Sequence, residues 1–252
     1  MKTRIYEDLA DLYQLWRDTC LGERGSEERE ADFIKNVLKA HDDLKTVIDL
    51  GGGIGLHARN LAEAGFDVTL LDQSEKALSI AKEAMPSLKT VLSSFETLDL
   101  DATFDASICM WSTLSYVPKE AQKHFYSWVA NHTKSVIILD EPNFSLYPST
   151  FHKVYEGEDD ESKLKITRNW KMSDNLKVTD FIYEVQNKAT GTTEIFNDNE
   201  TQQYVTSEEL QSLLGEKWKL EKVYGDYDLK AEFQPKTSAR MIYIFVPNDL
   251  LD

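Results

Sequence analysis

Apolar positions recur along this chain with two different periods, and the changes of period divide it into three regions. Residues 5–17, IYEDLADLYQLWR, set Ile5, Leu9, Leu12, Tyr13 and Trp16 three and four apart, which predicts one helix with a single apolar face. A second helix is predicted from about Ser26, with Phe33, Ile34, Val37 and Leu38 on its buried side. From Thr46 the apolar runs become short and β-branched: TVIDL, DVTLLD, TVL, ASICM and SVIILD. Between them lie the helical stretches LHARNLAEA and SEKALSIAKEAM, and a helix predicted from Pro118, in its first turn, to about Asn131. Strands that alternate with helices at this spacing predict an α/β core, a doubly wound and mostly parallel sheet with helices on both faces. After Pro142 the helical rhythm stops. Three extended runs, KLKITRNWKM, LKVTDFIYEVQN and TTEIFNDNETQQYV, are parted by SDN and KATG turns and predict an antiparallel β insert after the fifth strand. Ser207, followed by Glu208 and Glu209, is expected to cap a helix through Leu214, and WKLEKVYGDYD and SARMIYIFVP read as two closing strands.

The expected organisation is an N-terminal helical cap over 1–44, a core made of 45–143 and 205–252, and an antiparallel lid over 144–204. A length of 252 residues with 41% hydrophobic side chains supplies a core of that size. The formal charge of -16 repels polyphosphate chains and anionic bilayers, which argues against nucleic acid and membrane partners and suits either solubility or a small cationic or neutral ligand. The acidic run EGEDDES, Glu156 to Ser162, reads as a solvated loop tip. MKTRIYEDLADLY has no apolar targeting segment, and no stretch approaches the roughly 18 apolar residues of a membrane span. Two cysteines, Cys20 and Cys109, exclude a disulfide framework, so a reducing, cytoplasmic location is expected. His124, His132 and His152 are scattered without metal-ligand spacing, and no metal is expected. An exposed edge of the insert would suit a homodimer.

The chemistry concentrates in VIDLGGGIG. A dinucleotide fold wants G-x-G-x-x-G with a pyrophosphate on the helix N-terminus, but here the glycines fall at Gly51, Gly53 and Gly55 and Leu56 stands where the third is needed. Asp49 is also poorly placed beside a pyrophosphate. A cofactor without phosphate, with an amino-acid end and a ribose, fits better: bare amides meet its carboxylate, Asp49 faces its ammonium, and Asp72, closing VTLLD, accepts from the ribose hydroxyls. S-adenosylmethionine (SAM) has those parts. The plainer readings are that the glycines only make a tight strand-to-helix turn and that Asp72 caps a helix, as Ser74 can.

With these motifs in order, the sequence resembles the class I SAM-dependent methyltransferases of the bacterial small-molecule type. The resemblance is carried by VIDLGGGIG, GFDVTLLDQSEKALSIAKE, FDASICMWSTLSYV and SVIILDEPN, over roughly Lys45 to Asn143. It implies a Rossmann-like core in which Asp49, Gly51, Gly53 and Gly55 surround the methionyl end of SAM, Asp72 holds the ribose and Gln73 lies beside the adenosine. The family's acidic adenine contact after the third strand is replaced by Ser94, so the Ser94 hydroxyl or the backbone of Phe95 takes that place. Met110 and Trp111 would line the pocket facing the sulfonium. Phe95 and Trp111 have the alternative of being core aromatics.

Methyl transfer from a sulfonium needs a nucleophile held in line, and positioning contributes on the order of 7–11 kcal/mol, so no dedicated base is required. His57 is a candidate base, or a contact to the cofactor carboxylate or to the N-terminal helices. The resemblance places acceptor recognition in the flanking regions, at Tyr6, Tyr13, Trp16, Tyr116, Asn143, Arg168, Trp170, Tyr183 and Tyr204, with Tyr13 and Tyr116 taken as the residues that act on the acceptor. The expected activity is N-methylation, ahead of O-methylation, of a small molecule, with S-adenosylhomocysteine as product. A protein or RNA acceptor, or a non-catalytic SAM-binding regulator, are the other readings.

Overall fold

A computed structural model describes residues 4–21, 27–41 and 43–248, and the chain divides into two compact units. One comprises 27–146 with 203–252, the other 1–26 with 147–202.

The larger unit is built on strands that are apolar on both faces. In β1 (Thr46–Leu50) the residues Val47, Ile48 and Leu50 are wholly buried, as an interior parallel strand requires. It pairs in parallel with β2 (Asp67–Asp72) on one side and β4 (Phe104–Cys109) on the other, with β3 (Lys89–Leu92) beyond β2 and β5 (Thr133–Pro142) beyond β4. Two C-terminal strands, β10 (Trp218–Gly225) and β11 (Arg240–Pro247), complete the order β10-β11-β5-β4-β1-β2-β3, β11 running antiparallel to both neighbours. Alternating side chains feed two apolar layers. Val47, Leu70, Ile108 and Ile138 pack with α2 (Glu27–Ala40), α3 (Leu56–Glu63) and α4 (Glu75–Ala84). Ile48, Leu50, Leu71, Ile137 and Leu139 pack with α5 (Lys119–His132) and α6 (Ser207–Leu214). The doubly wound sheet is therefore as expected, and its chain order reverses between β1 and β4. That is where such sheets open a crevice at their carboxyl ends.

The smaller unit pairs a four-stranded antiparallel sheet with the first helix. Its order is β6 (Thr150–Glu158), β7 (Ser162–Ser173), β8 (Leu176–Asn187), β9 (Thr193–Gln203). Its packed face carries Phe151, whose ring stacks on Trp170 at 3.6 Å, together with Leu164, Ile166, Phe181 and Tyr183. At the end of β6, a side chain on Gly157 would run into Thr19 of α1 (Tyr13–Leu21), so glycine lets the helix lie on the strand.

Local expectations needed revision at several points. The insert has four strands rather than three, because β6 alternates with weakly apolar residues and ends inside the acidic run. The loop tip there shrinks to a turn in which the Asp159 carboxylate accepts from the Glu161 and Ser162 amides at 2.9 and 2.7 Å. Residues 5–17 do not form one helix: two 3₁₀ turns, Arg4–Tyr6 and Ala10–Leu12, precede α1. Arg4, just ahead of this stretch, bonds to Asp198 and Asn197 of β9. The expected start at Ser26 lies outside the described residues. Pro118 sits just ahead of α5 at its cap, and Thr206, not Ser207, caps α6. The Thr206 hydroxyl accepts from Glu209 N–H at 3.2 Å while the Glu209 carboxylate accepts from Thr206 N–H at 2.9 Å, a reciprocal capping box. Thr206→Ala is expected to lower stability by about 1 kcal/mol in urea unfolding, with no change in denaturant slope.

Candidate functional site

The crevice between β1 and β4 is walled first by the glycine turn. Gly51, Gly53 and Gly55 have φ of +68°, +57° and +77°, a left-handed conformation that side chains rarely adopt. A Cβ on Gly51 would strike Thr113 and come within 3.0 Å of the Phe95 ring, and one on Gly52 would run into the Asp49 carboxylate and Leu70. What lies so close to this backbone is therefore partly the protein's own site wall: Phe95 and Thr113 on one side, Asp49 beneath.

Asp49 is wholly buried, and neither carboxylate oxygen has a hydrogen-bond partner among the described residues. Burial pushes its pKa up to about 6, with Asp72 adding to the rise, while His57 and the nearby Ala58 amide hold it down. The Ala58 amide does so without a regular hydrogen bond to either oxygen. An orphaned carboxylate of this kind is costly unless something binds it. Asp72, half-buried at the tip of β2, ties the turn to the next helix: one oxygen accepts from Gly53 N–H at 2.9 Å and the other from Ser74 N–H at 2.9 Å. The α4 cap is Ser74, which accepts from Ala77 N–H at 3.1 Å, so capping does not account for Asp72.

Opposite the turn, β4 runs out through buried Met110 into Trp111 and Ser112, both non-glycine residues with positive φ, +58° and +63°. Asp140 at the end of β5, fully buried, accepts from the Trp111 amide at 2.8 Å, from the Tyr227 hydroxyl at 2.5 Å and from Arg240 through Nε at 3.0 Å and Nη2 at 2.5 Å. The indole N–H of Trp111 donates to Glu30 Oε2 of α2 at 2.5 Å, and His57 Nε2 lies 3.0 Å from the same oxygen. Of the roles open to His57, the contact with the N-terminal helices is the one observed.

The other expected site residues are distributed as follows. Gln73 follows Asp72 at the tip of β2 and is half-buried. Ser94 shares a 3.1 Å hydrogen bond with Thr97, and Phe95 packs on Phe125 at 4.4 Å. Tyr116 ends the 3₁₀ turn Thr113–Tyr116 after β4 and is half-buried. Tyr13 belongs to the smaller unit, where it stacks between Tyr6 at 5.3 Å and Trp16 at 5.7 Å. Arg168, Trp170 and Tyr183 also lie in that unit, with Arg168 over the Trp170 ring at 5.0 Å. Asn143 is a staple rather than an acceptor contact: its buried side-chain amide donates to Pro235 and Ser238 carbonyls, both at 2.8 Å. Tyr204 is likewise buried, stacked on Phe144 at 4.7 Å. The residues that sequence reasoning missed are Glu30, Asp140, Tyr227 and Arg240. Asp140 had the same mark as Asp49 and Asp72, an acid closing a β-branched run; the others come from distant segments and had none. No group of three or more metal-ligating side chains occurs among the described residues.

Comparison with known proteins agrees with this geometry. Residues 47–135 match the family described as "Methyltransferase domain". Glycine/sarcosine N-methyltransferase of Aphanothece halophytica is 34% identical over 128 residues, 46% of this chain and 47% of that protein. The chain thus spans about half the length of the curated relatives it matches. Among solved structures, an S-adenosylmethionine-dependent methyltransferase from Clostridium acetobutylicum ATCC 824 superposes with a TM-score of 0.79 at 18% identity, covering 95% of this chain and 99% of that one. The SAM-bound amino pentose methyltransferase CalS10 of Micromonospora echinaspora does so with a TM-score of 0.75 at 16% identity, over 94% and 97%. The glycine turn, Asp49 and Asp72 all lie within the segment that matches this methyltransferase-domain family, and the sheet order they sit on is that of a fold shared with solved SAM-dependent methyltransferases.

Proposed function

We propose that this chain is a SAM-dependent methyltransferase that methylates the nitrogen of a small molecule. The observation that carries the reading is Asp49: a buried carboxylate without a hydrogen-bond partner among the described residues, beside left-handed glycines, at the crossover of a parallel sheet. The ammonium of SAM satisfies it. Gly51 and Gly53 bring the backbone close to the methionyl end, Asp72 receives the ribose hydroxyls with Gln73 next to it, and Ser94 and Phe95 stand at the adenine side. Met110 and Trp111 border the sulfonium, and Tyr116, on the turn that follows, contacts the acceptor. Bound there, SAM supplies a methyl group already activated by its positive sulfur. The protein's part is then to hold an unprotonated nitrogen in line and keep water away, for which no side-chain nucleophile is needed. The choice of nitrogen is supported by the relatives whose names include N-methyltransferase and an amino pentose methyltransferase.

Calorimetry is expected to show SAM binding, and incubation with a panel of amino acids and amino sugars is expected to release S-adenosylhomocysteine with at least one of them. SAM binding without turnover on any amine would favour a regulatory role instead. Asp72→Ala is expected to weaken SAM at least tenfold with the unfolding transition retained, and unchanged affinity would remove Asp72 from the ribose contact.

Asp49 also sets a pH dependence. Its folded pKa of about 6 exceeds the ordinary 3.8, so between these values the native state holds a proton the unfolded chain has released, and stability falls as pH rises through that window. At pH 8 the ionised carboxylate costs about 3 kcal/mol without ligand. Asp49→Asn should therefore be more stable than the parent at pH 8 by about 1–3 kcal/mol, the gain vanishing near pH 4, while binding SAM poorly. For the parent, SAM affinity should fall by up to about tenfold per pH unit below pH 6, as Asp49 takes up its proton. A flat affinity profile from pH 5 to 8 would take the ammonium away from Asp49.

A further inference from the structure

We propose that Glu30 and Asp140 are positioning residues that hold the Trp111 indole as the fixed wall against which the acceptor is sized; the idea rests on the methyl-transfer reading above. Trp111 combines a strained backbone with several directional contacts. A bulky side chain with φ of +58°, followed by Ser112 at +63°, is an outlier of the kind that persists only when its surroundings over-determine it, at a cost of about 1–3 kcal/mol each. A glycine would remove that strain. A tryptophan there implies that the ring itself is needed; it packs against the apolar layer and is only partly buried, so packing is one part of its role.

Beyond its packing against the apolar layer under α2, α3 and α4, this residue is held by charged groups. From below, buried Asp140 accepts from the Trp111 amide at 2.8 Å and is itself locked by two bonds from Arg240 and one from Tyr227. The Arg240 guanidinium also donates to the Ser112 hydroxyl at 3.0 Å and stands 5.7 Å from the indole centroid, over its face. From the far edge, one oxygen of Glu30, whose side chain is wholly buried in α2, takes the indole N–H at 2.5 Å and faces His57 Nε2 at 3.0 Å. The indole is thereby pinned at its backbone, its face and its far edge.

Stability does not account for this arrangement. Buried ion pairs commonly equal, or fall below, well-packed apolar residues of similar volume in what they contribute. Directional charge-assisted bonds instead fix where a ring lies to a few tenths of an ångström, which packing alone does not ensure. Because Glu30 also meets His57, in the second residue of the helix behind the glycine turn, the same carboxylate references the indole to the backbone that cradles the cofactor. The distance between glycine turn and indole then decides how large an amine can sit between them.

The test uses the full chain. The indole N–H resonance of Trp111, assigned by its loss in Trp111→Phe, is recorded with and without Glu30→Gln in the unliganded protein. It is expected to shift, since a carboxylate acceptor is exchanged for an amide. In turnover, Glu30→Gln is expected to lower kcat at least tenfold with SAM affinity within threefold. Trp111→Phe should shift preference toward larger amines, and adding Glu30→Gln to it should cost less than a further twofold, because the role of Glu30 passes through that ring. If the glutamine variant does not fold, Glu30→Asp, which keeps the charge but shortens the reach, is read in the same way. An unmoved indole resonance, or losses that multiply in the double variant, would overturn the proposal while leaving the enzyme reading intact. Absence of SAM turnover in the parent would overturn both.

Discussion

Carboxylates at the carboxyl ends of buried parallel strands are the constraint around which the larger unit is arranged. Asp72 ends β2, and Asp49 and Asp140 lie within two residues of the ends of β1 and β5, near where the apolar sheet ends and backbone must turn away. A charge at such a depth requires partners, and the three find them differently. Asp140 accepts from Arg240, Tyr227 and the Trp111 amide; Asp72 accepts from two backbone amides; Asp49 has no hydrogen-bond partner among the described residues. The contrast is sharpest across the crossover of the sheet, between Asp140 on β5 and Asp49 on β1.

Backbone strain is kept at the same place. Left-handed backbone occurs on both lips of the crevice, at Gly51, Gly53 and Gly55 on one and at Trp111 and Ser112 on the other. On the glycine lip the conformation is cheap and frees space that Phe95, Thr113 and Asp49 occupy. On the opposite lip it is costly, and the Asp140–Arg240 pair and Glu30 hold it in place. A buried Asp49 with only partial compensation from His57 and the Ala58 amide, and a strained Trp111, both lower stability, as features kept for a site rather than for folding do.

The smaller unit shows how weakly a half-polar sheet declares itself. β7 and β8 alternate clearly, with Leu164, Ile166, Phe181 and Tyr183 on the packed face, and both were expected. β6 turns only Phe151, Tyr155 and Gly157 inward among charged neighbours, so period-two patterning was too faint to separate it from a loop. The broken first helix is the converse case, a clean helical period that the folded chain realises as two 3₁₀ turns and a shorter α-helix.

What the sequence determined by itself was whatever depends on near neighbours: the alternation of strand and helix from Thr46, the left-handed turn at Gly51 to Gly55, and the acids that end β-branched runs, Asp49 and Asp72 among them. These are set by backbone sterics and by burial of short apolar runs, both of which act within a few residues. The environment of those groups was decided only in the folded chain. Glu30, Trp111, Asp140, Tyr227 and Arg240 are brought together from five separate segments, and Asn143, in a promising position after β5, becomes a staple because two carbonyls from 235 and 238 arrive beside it. Hydrogen bonds are short-ranged and directional, so which donor meets which buried carboxylate follows from how the elements pack, and no local pattern encodes it.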